Sequence, residues 1–108
     1  MRVLISQRMR GLSAAEIAET RRKAAEKLER EGHTVIDSPI DGWDDDWYLH
    51  REFTKSGVNT GVMLMAKTLE AMATADAVFF CKGWESARGC AVEETVANAY
   101  GIECIYEK

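Results

Sequence analysis

The chain has 108 residues, enough for one domain with a single small core. Its 46% apolar and 30% charged residues are ordinary for a globular protein, and a net charge of −4 gives no electrostatic attraction to nucleic acid polymers or acidic membranes. No apolar run approaches the roughly 20 residues of a membrane span.

Met1 to Ile5 turns polar at once, unlike a signal peptide, and three cysteines, Cys81, Cys90 and Cys104, fit reduced thiols in a cytoplasmic protein. Arg2 to Ser6 reads as a short buried strand. Gln7 to Leu12 is a loop carrying Arg8, Arg10 and Gly11. Ser13 and Glu16 form a capping box, and a helix runs from there to about Glu31. Its apolar face holds Ile17, Ala18, Ala24, Ala25 and Leu28, interrupted by Arg21. Gly32 is the expected left-handed stop. His33 to Asp37 reads as a second strand.

Ser38 to Thr60 is less regular and reads as a long loop with Pro39 and an acidic aromatic patch, Trp43 to Tyr48. Val62 to Ala75 predicts a second helix, Ala77 to Cys81 a third strand, Ala91 to Tyr100 a third helix, and Ile102 to Tyr106 a last strand. Strands alternating with helices predict an α/β domain spanning residues 1–108. The expected form is a flavodoxin-like three-layer sandwich, a four-stranded parallel sheet of order 2-1-3-4 with helices on both faces. Ligands in such sheets bind at the carboxyl ends of the strands beside the switch point, here strands one and three. The loops at Gln7 to Leu12 and Lys82 to Cys90 both lie there.

The second of these loops carries the most chemistry: Gly83-Trp84-Glu85-Ser86-Ala87-Arg88-Gly89-Cys90-Ala91-Val92-Glu93-Glu94. Gly83 and Gly89 are read as backbone necessities. A strand-to-helix turn presents free N–H groups that attract anions, and Arg88 adds a fixed positive charge. Glu93 follows Gly89 by one helical turn.

These residues resemble the nucleoside 2-deoxyribosyltransferase superfamily, in a branch of small bacterial and phage domains. The resemblance rests on Ser6 to Gly11 after the first strand, Ala75-Asp76 before the third, and then Gly83-Trp84, Arg88-Gly89 and Glu93. It implies that Glu93 is a nucleophile toward the anomeric carbon of a nucleoside or nucleotide, cleaving or transferring the N-glycosidic bond. It also implies that the loops after strands one and three hold a 5′-phosphate. Ser6, Gln7, Arg8, Arg10, Gly83, Trp84, Ser86, Arg88 and Gly89 are then the substrate-binding residues. Arg88 and the helix start are expected to keep Glu93 ionised. The chain departs from the relatives at Thr68, where they carry Asp, at Ala87, where they carry Asp or Ser, and in the first loop, where Gln7 and Arg8 replace glycine and proline.

Other readings stand beside this one. The pocket can hold a nucleotide without chemistry, or the fold can serve an oligomeric structural role. Trp84, Trp43, Trp47 and Tyr48 suit packing or a subunit interface as well as a base platform. Asp76 suits a turn or cap, and Cys90 a small buried residue. His33 and His50 make no metal spacing with the cysteines, so neither a metal nor another cofactor is expected. The expected partners are a small nucleoside or nucleotide and further copies of the chain, as a homodimer or larger homo-oligomer, with no nucleic acid polymer and no membrane. Asp37, Asp41 and Glu85, or a residue from a partner subunit, are candidates for a second carboxylate near Glu93.

Overall fold

Strand β1 (Arg2–Ser6) lies at the centre of a parallel sheet, between β2 (Thr34–Val35) and β3 (Ala77–Phe80), and β4 (Glu103–Tyr106) extends the sheet beyond β3. The order is 2-1-3-4, as the alternation of apolar runs predicts. A computed structural model describes residues 1–37 and 59–108 of the chain. Among the described residues the helices are α1 (Ala14–Arg30), α2 (Thr60–Met72) and α3 (Arg88–Ala99).

Strand periodicity divides the core between the two faces of the sheet. Val3, Ile5, Ala77 and Phe79 pack with Ala24 and Leu28 of α1. Leu4, Val78 and Phe80 pack with Met72 of α2 and with Cys90 and Ala97 of α3. β1 and β3 are buried at almost every position, as befits the middle of a sheet covered on both sides.

Local signals explain the element ends. The Ser13 hydroxyl accepts from the Glu16 N–H at 3.1 Å, and the Glu16 carboxyl accepts from the Ser13 N–H at 3.2 Å, completing the capping box. Gly32 ends α1 with φ +90°. Arg21, on the inward side of α1, donates to the Ile36 carbonyl at 2.9 Å, so its charge sits at the end of β2 rather than in the core.

Several boundaries differ from the sequence reading. Asn59 caps α2 by accepting from the Val62 N–H at 3.0 Å, so the last two residues assigned to the long loop belong to the helix and its cap. β2 is two residues long, although the Ile36 N–H still donates to the Val3 carbonyl at 2.9 Å. α3 begins at Arg88 rather than Ala91, because the first helical turn needs no intrahelical donors and tolerates Gly89. The acidic aromatic patch at Trp43 to Tyr48 lies outside the described residues. No described helix is long and apolar enough to cross a membrane.

Candidate functional site

The carboxyl ends of β1 and β3 lie side by side, with Ser6 in register with Phe80. Strand alternation turns Ser6 to the same face as Leu4, the face covered by α2 and α3. Above it, α3 buries a single stripe, Cys90, Glu93 and Ala97. That spacing is the inward face of a helix, and Glu93 occupies a position where an apolar residue is the rule. Glu93 is 9% exposed and Ser6 2% exposed.

Helical side chains lean toward the N-terminus, so the Glu93 carboxyl lies over the first turn of its own helix. Its Oε2 is 3.7 Å from where a Cβ on Gly89 would stand, and the Met65 terminal methyl on α2 is 3.6 Å from that point. Both are ordinary contact distances, and Gly89 has no positive φ. The expectation that Gly89 is a backbone necessity is therefore corrected: its lack of a side chain leaves room beside the carboxyl. Gly83 does meet that expectation, with φ +91° at the start of the turn.

That turn is built by hydrogen bonds among its own residues. The Trp84 N–H donates to the Cys81 carbonyl at 3.1 Å and the Ala87 N–H to the Trp84 carbonyl at 3.0 Å. The Ser86 hydroxyl donates to the Gly83 carbonyl at 2.9 Å, which commits its proton to the turn. Ala87 stands at the N-cap of α3 in extended conformation, with no side chain to bond the free N–H groups. Ala87 thus occupies a capping position and leaves the helix start open. Such a cap contributes about 0.5–2 kcal/mol.

The remaining candidates divide between rim and scaffold. Arg8, Arg10 and Arg88 are exposed and make no ion pair with any described residue. Gln7 turns away to donate to the Ile17 carbonyl of α1 at 3.0 Å, so it ties the first loop to the helix. Trp84 packs inside the chain, 5.3 Å from the Phe80 ring and 5.4 Å from the Tyr106 ring. Thr68 donates to the Leu64 carbonyl of its own helix at 3.0 Å. Asp76 sits at the opposite end of the sheet, accepting from the Arg2 N–H at 2.8 Å, which is the capping role read from the sequence.

A model of the family described as a domain of unknown function (DUF4406) matches residues 1–106. The chain belongs to the DUF4406 family. No match was found among curated proteins or among solved structures.

In this DUF4406 domain the electrostatics of the site come from burial. Desolvation pushes the Glu93 carboxyl up from 4.5 to about 7, opposed in part by the nearby Ser6 hydroxyl. The expectation that Arg88 and the helix start keep Glu93 ionised is corrected. Arg88 is exposed at the rim, Glu93 faces the sheet, and no described cation acts on the carboxyl. The Cys90 thiol is likewise pushed up, to about 11, mainly by burial, and stays a thiol at neutral pH. Asp37 and Glu85 are exposed and do not act on Glu93. Asp41 lies outside the described residues. Among the described residues no cluster of His, Cys, Asp and Glu has the makings of a metal site.

The sequence reading missed two neighbours of the carboxyl, Cys90 and Met65. The spacing of Cys90, Glu93 and Ala97 was the available signal for the first. Met65 needed the packing of α2 against α3, which no local pattern reveals.

Proposed function

We propose that this DUF4406 domain binds a nucleoside or nucleoside monophosphate at the carboxyl ends of β1 and β3 and acts on its N-glycosidic bond through Glu93. The observation that carries this reading is a carboxyl 9% exposed, without a cationic partner among the described residues, beside an uncapped helix start. A buried carboxyl of this kind opposes folding, and groups so perturbed concentrate where chemistry or binding needs them. The resemblance of Gly83-Trp84, Arg88-Gly89 and Glu93 to the deoxyribosyltransferase superfamily supports the choice of substrate.

In this reading ionised Glu93 attacks the anomeric carbon. The carbon–nitrogen bond breaks, its electron pair leaves with the base, which takes a proton from solvent, and a glycosyl ester forms. Water or a second base then attacks the same carbon and restores the carboxylate. The open N–H groups at Arg88, Gly89 and Cys90 attract a 5′-phosphate, with Arg88, Arg8 and Arg10 at the rim. The Thr68 hydroxyl supplies no carboxylic proton to the departing base, so turnover is slow. The three cysteines are free, which supports a reducing, cytoplasmic setting.

A second reading, nucleotide binding without chemistry, is favoured by one observation: no second described carboxyl acts on Glu93. One assay separates the two. Base release is measured by chromatography for deoxynucleosides, ribonucleosides and their monophosphates, between pH 5.5 and pH 9. Release should rise with pH through about 7, where Glu93 ionises. Glu93→Gln should lower it by on the order of a thousandfold or more. Binding with no release from any substrate supports the second reading, and release that survives in Glu93→Gln removes Glu93 from the mechanism.

A further inference from the structure

Ser6 is a buried hydroxyl with an unusual neighbourhood. Its Oγ is sealed from solvent and makes no hydrogen bond to any described residue. Buried polar atoms left in that state are rare, and each opposes folding. The backbone around it is fully engaged, since the Ser6 carbonyl accepts from the Cys81 N–H at 2.9 Å and the strand pairs with β3. The residue is therefore held firmly while its hydroxyl rotor is unused.

What surrounds the rotor gives it a task. Leu4 and Phe80 line the same face of the sheet, Met72 of α2 and Cys90 of α3 pack on that face, and Glu93 shares the buried stripe of α3 with Cys90. Of these only Cys90 and Glu93 titrate, and the Cys90 thiol remains protonated to about 11. No described Lys, Arg, His or Asp acts on the Glu93 carboxyl. When Glu93 loses its proton, the Ser6 O–H is thus the one hydroxyl among these neighbours and a stronger donor to the buried charge than the Cys90 S–H.

We infer that Ser6 is a positioning residue for Glu93: its hydroxyl, unbonded while the carboxyl is protonated, turns to donate a hydrogen bond to the carboxylate. This fixes the carboxylate's orientation over the open turn at Gly89 and makes ionisation possible at a depth where no cation helps. Its nearness to the carboxyl already favours the charged form. The inference concerns the free protein and holds whether or not the N-glycosidic reading does.

The test is an NMR titration of the Glu93 side-chain carboxyl, carbon-13 labelled, in wild type, Ser6→Ala and Ser6→Thr, without substrate. A hydrogen bond to a charged group is among the stronger kinds, so Ser6→Ala should raise the midpoint by at least about one pH unit, a tenfold change in the ionisation equilibrium. Ser6→Thr keeps the hydroxyl and should titrate close to wild type. An unchanged midpoint in Ser6→Ala, or equal shifts in both folded variants, would overturn the inference. If base release is found, its pH profile should move with the midpoint. A titration that moves while no base is released leaves the Ser6 role intact and counts only against the chemistry.

Discussion

Glu93→Gln is expected to stabilise the protein at pH 8 by about 3 kcal/mol. The carboxyl's pKa in the folded protein is about 7, above its ordinary value of 4.5. A folded-state value above the unfolded one means that folding favours the protonated form. The stability associated with that preference is fully present below about pH 4.5 and is lost as pH rises through about 7. Glutamine keeps the size of the side chain and has no charge to desolvate. The variant should therefore match wild type near pH 4.5 and exceed it increasingly toward pH 8. In a domain of about 100 residues the gain corresponds to a Tm increase on the order of 10 °C. Thermal or urea melts at both pH values measure it. A variant less stable than wild type at pH 8 would show that the carboxylate contributes to folding. Gain of stability together with loss of base release at this one position would mark a site retained for its chemistry.

Phe80→Ala is expected to cost about 3–5 kcal/mol, a large part of the 5–15 kcal/mol that holds a small domain folded. Phe80 is fully buried at the end of β3 and carries the ring cluster above it. Its ring lies 5.3 Å from Trp84 and 5.6 Å from Tyr106, and the Tyr106 hydroxyl donates to the Glu94 carboxyl at 2.9 Å. Truncation opens a cavity beneath the turn that leads into α3 and loosens Trp84, its neighbour in that turn. Urea denaturation should show the lower midpoint, and a loss below about 1 kcal/mol would mean that the turn does not depend on this ring.

The fold was legible because each level of the sequence agrees with the next. Val3-Leu4-Ile5 and Ala77-Val78-Phe79-Phe80 are too apolar for a half-exposed strand, and the Ser13–Glu16 box and Gly32 mark both ends of the intervening helix. The place of the candidate site was read from topology, since the switch point depends only on strand order, and that order is 2-1-3-4. The chemistry of the site was less legible, for physical reasons. Desolvation of Glu93 depends on α3 pressing it toward the sheet at Ser6, a contact between residues far apart in sequence. Arg88 and Glu93 lie close in the chain, which suggested a charge pair, but Arg88 ends exposed while Glu93 is buried. Gln7, Trp84 and Ser86 all lie in the right loops, yet each has a bond or ring contact that assigns it to the scaffold. In the sequence Ala87 is only a departure from the resembling proteins, and the helix start at Arg88 identifies it as an absent cap.

The most direct measurement is covalent trapping of the nucleophile. Fluorine at the 2′ position of an arabinosyl nucleoside withdraws electrons from the anomeric centre and slows hydrolysis of a glycosyl ester through its oxocarbenium-like transition state, so that the ester can be detected. The protein is incubated with such compounds, with and without a 5′-phosphate, at pH 8, where Glu93 is ionised. Intact mass and peptide mapping then locate any adduct. The expected result is one fluoroglycosyl group on Glu93, reduced at pH 5.5 and absent from Glu93→Gln. An adduct on another residue, or base release from wild type and Glu93→Gln at equal rates, would contradict the assignment of Glu93 as the reacting group.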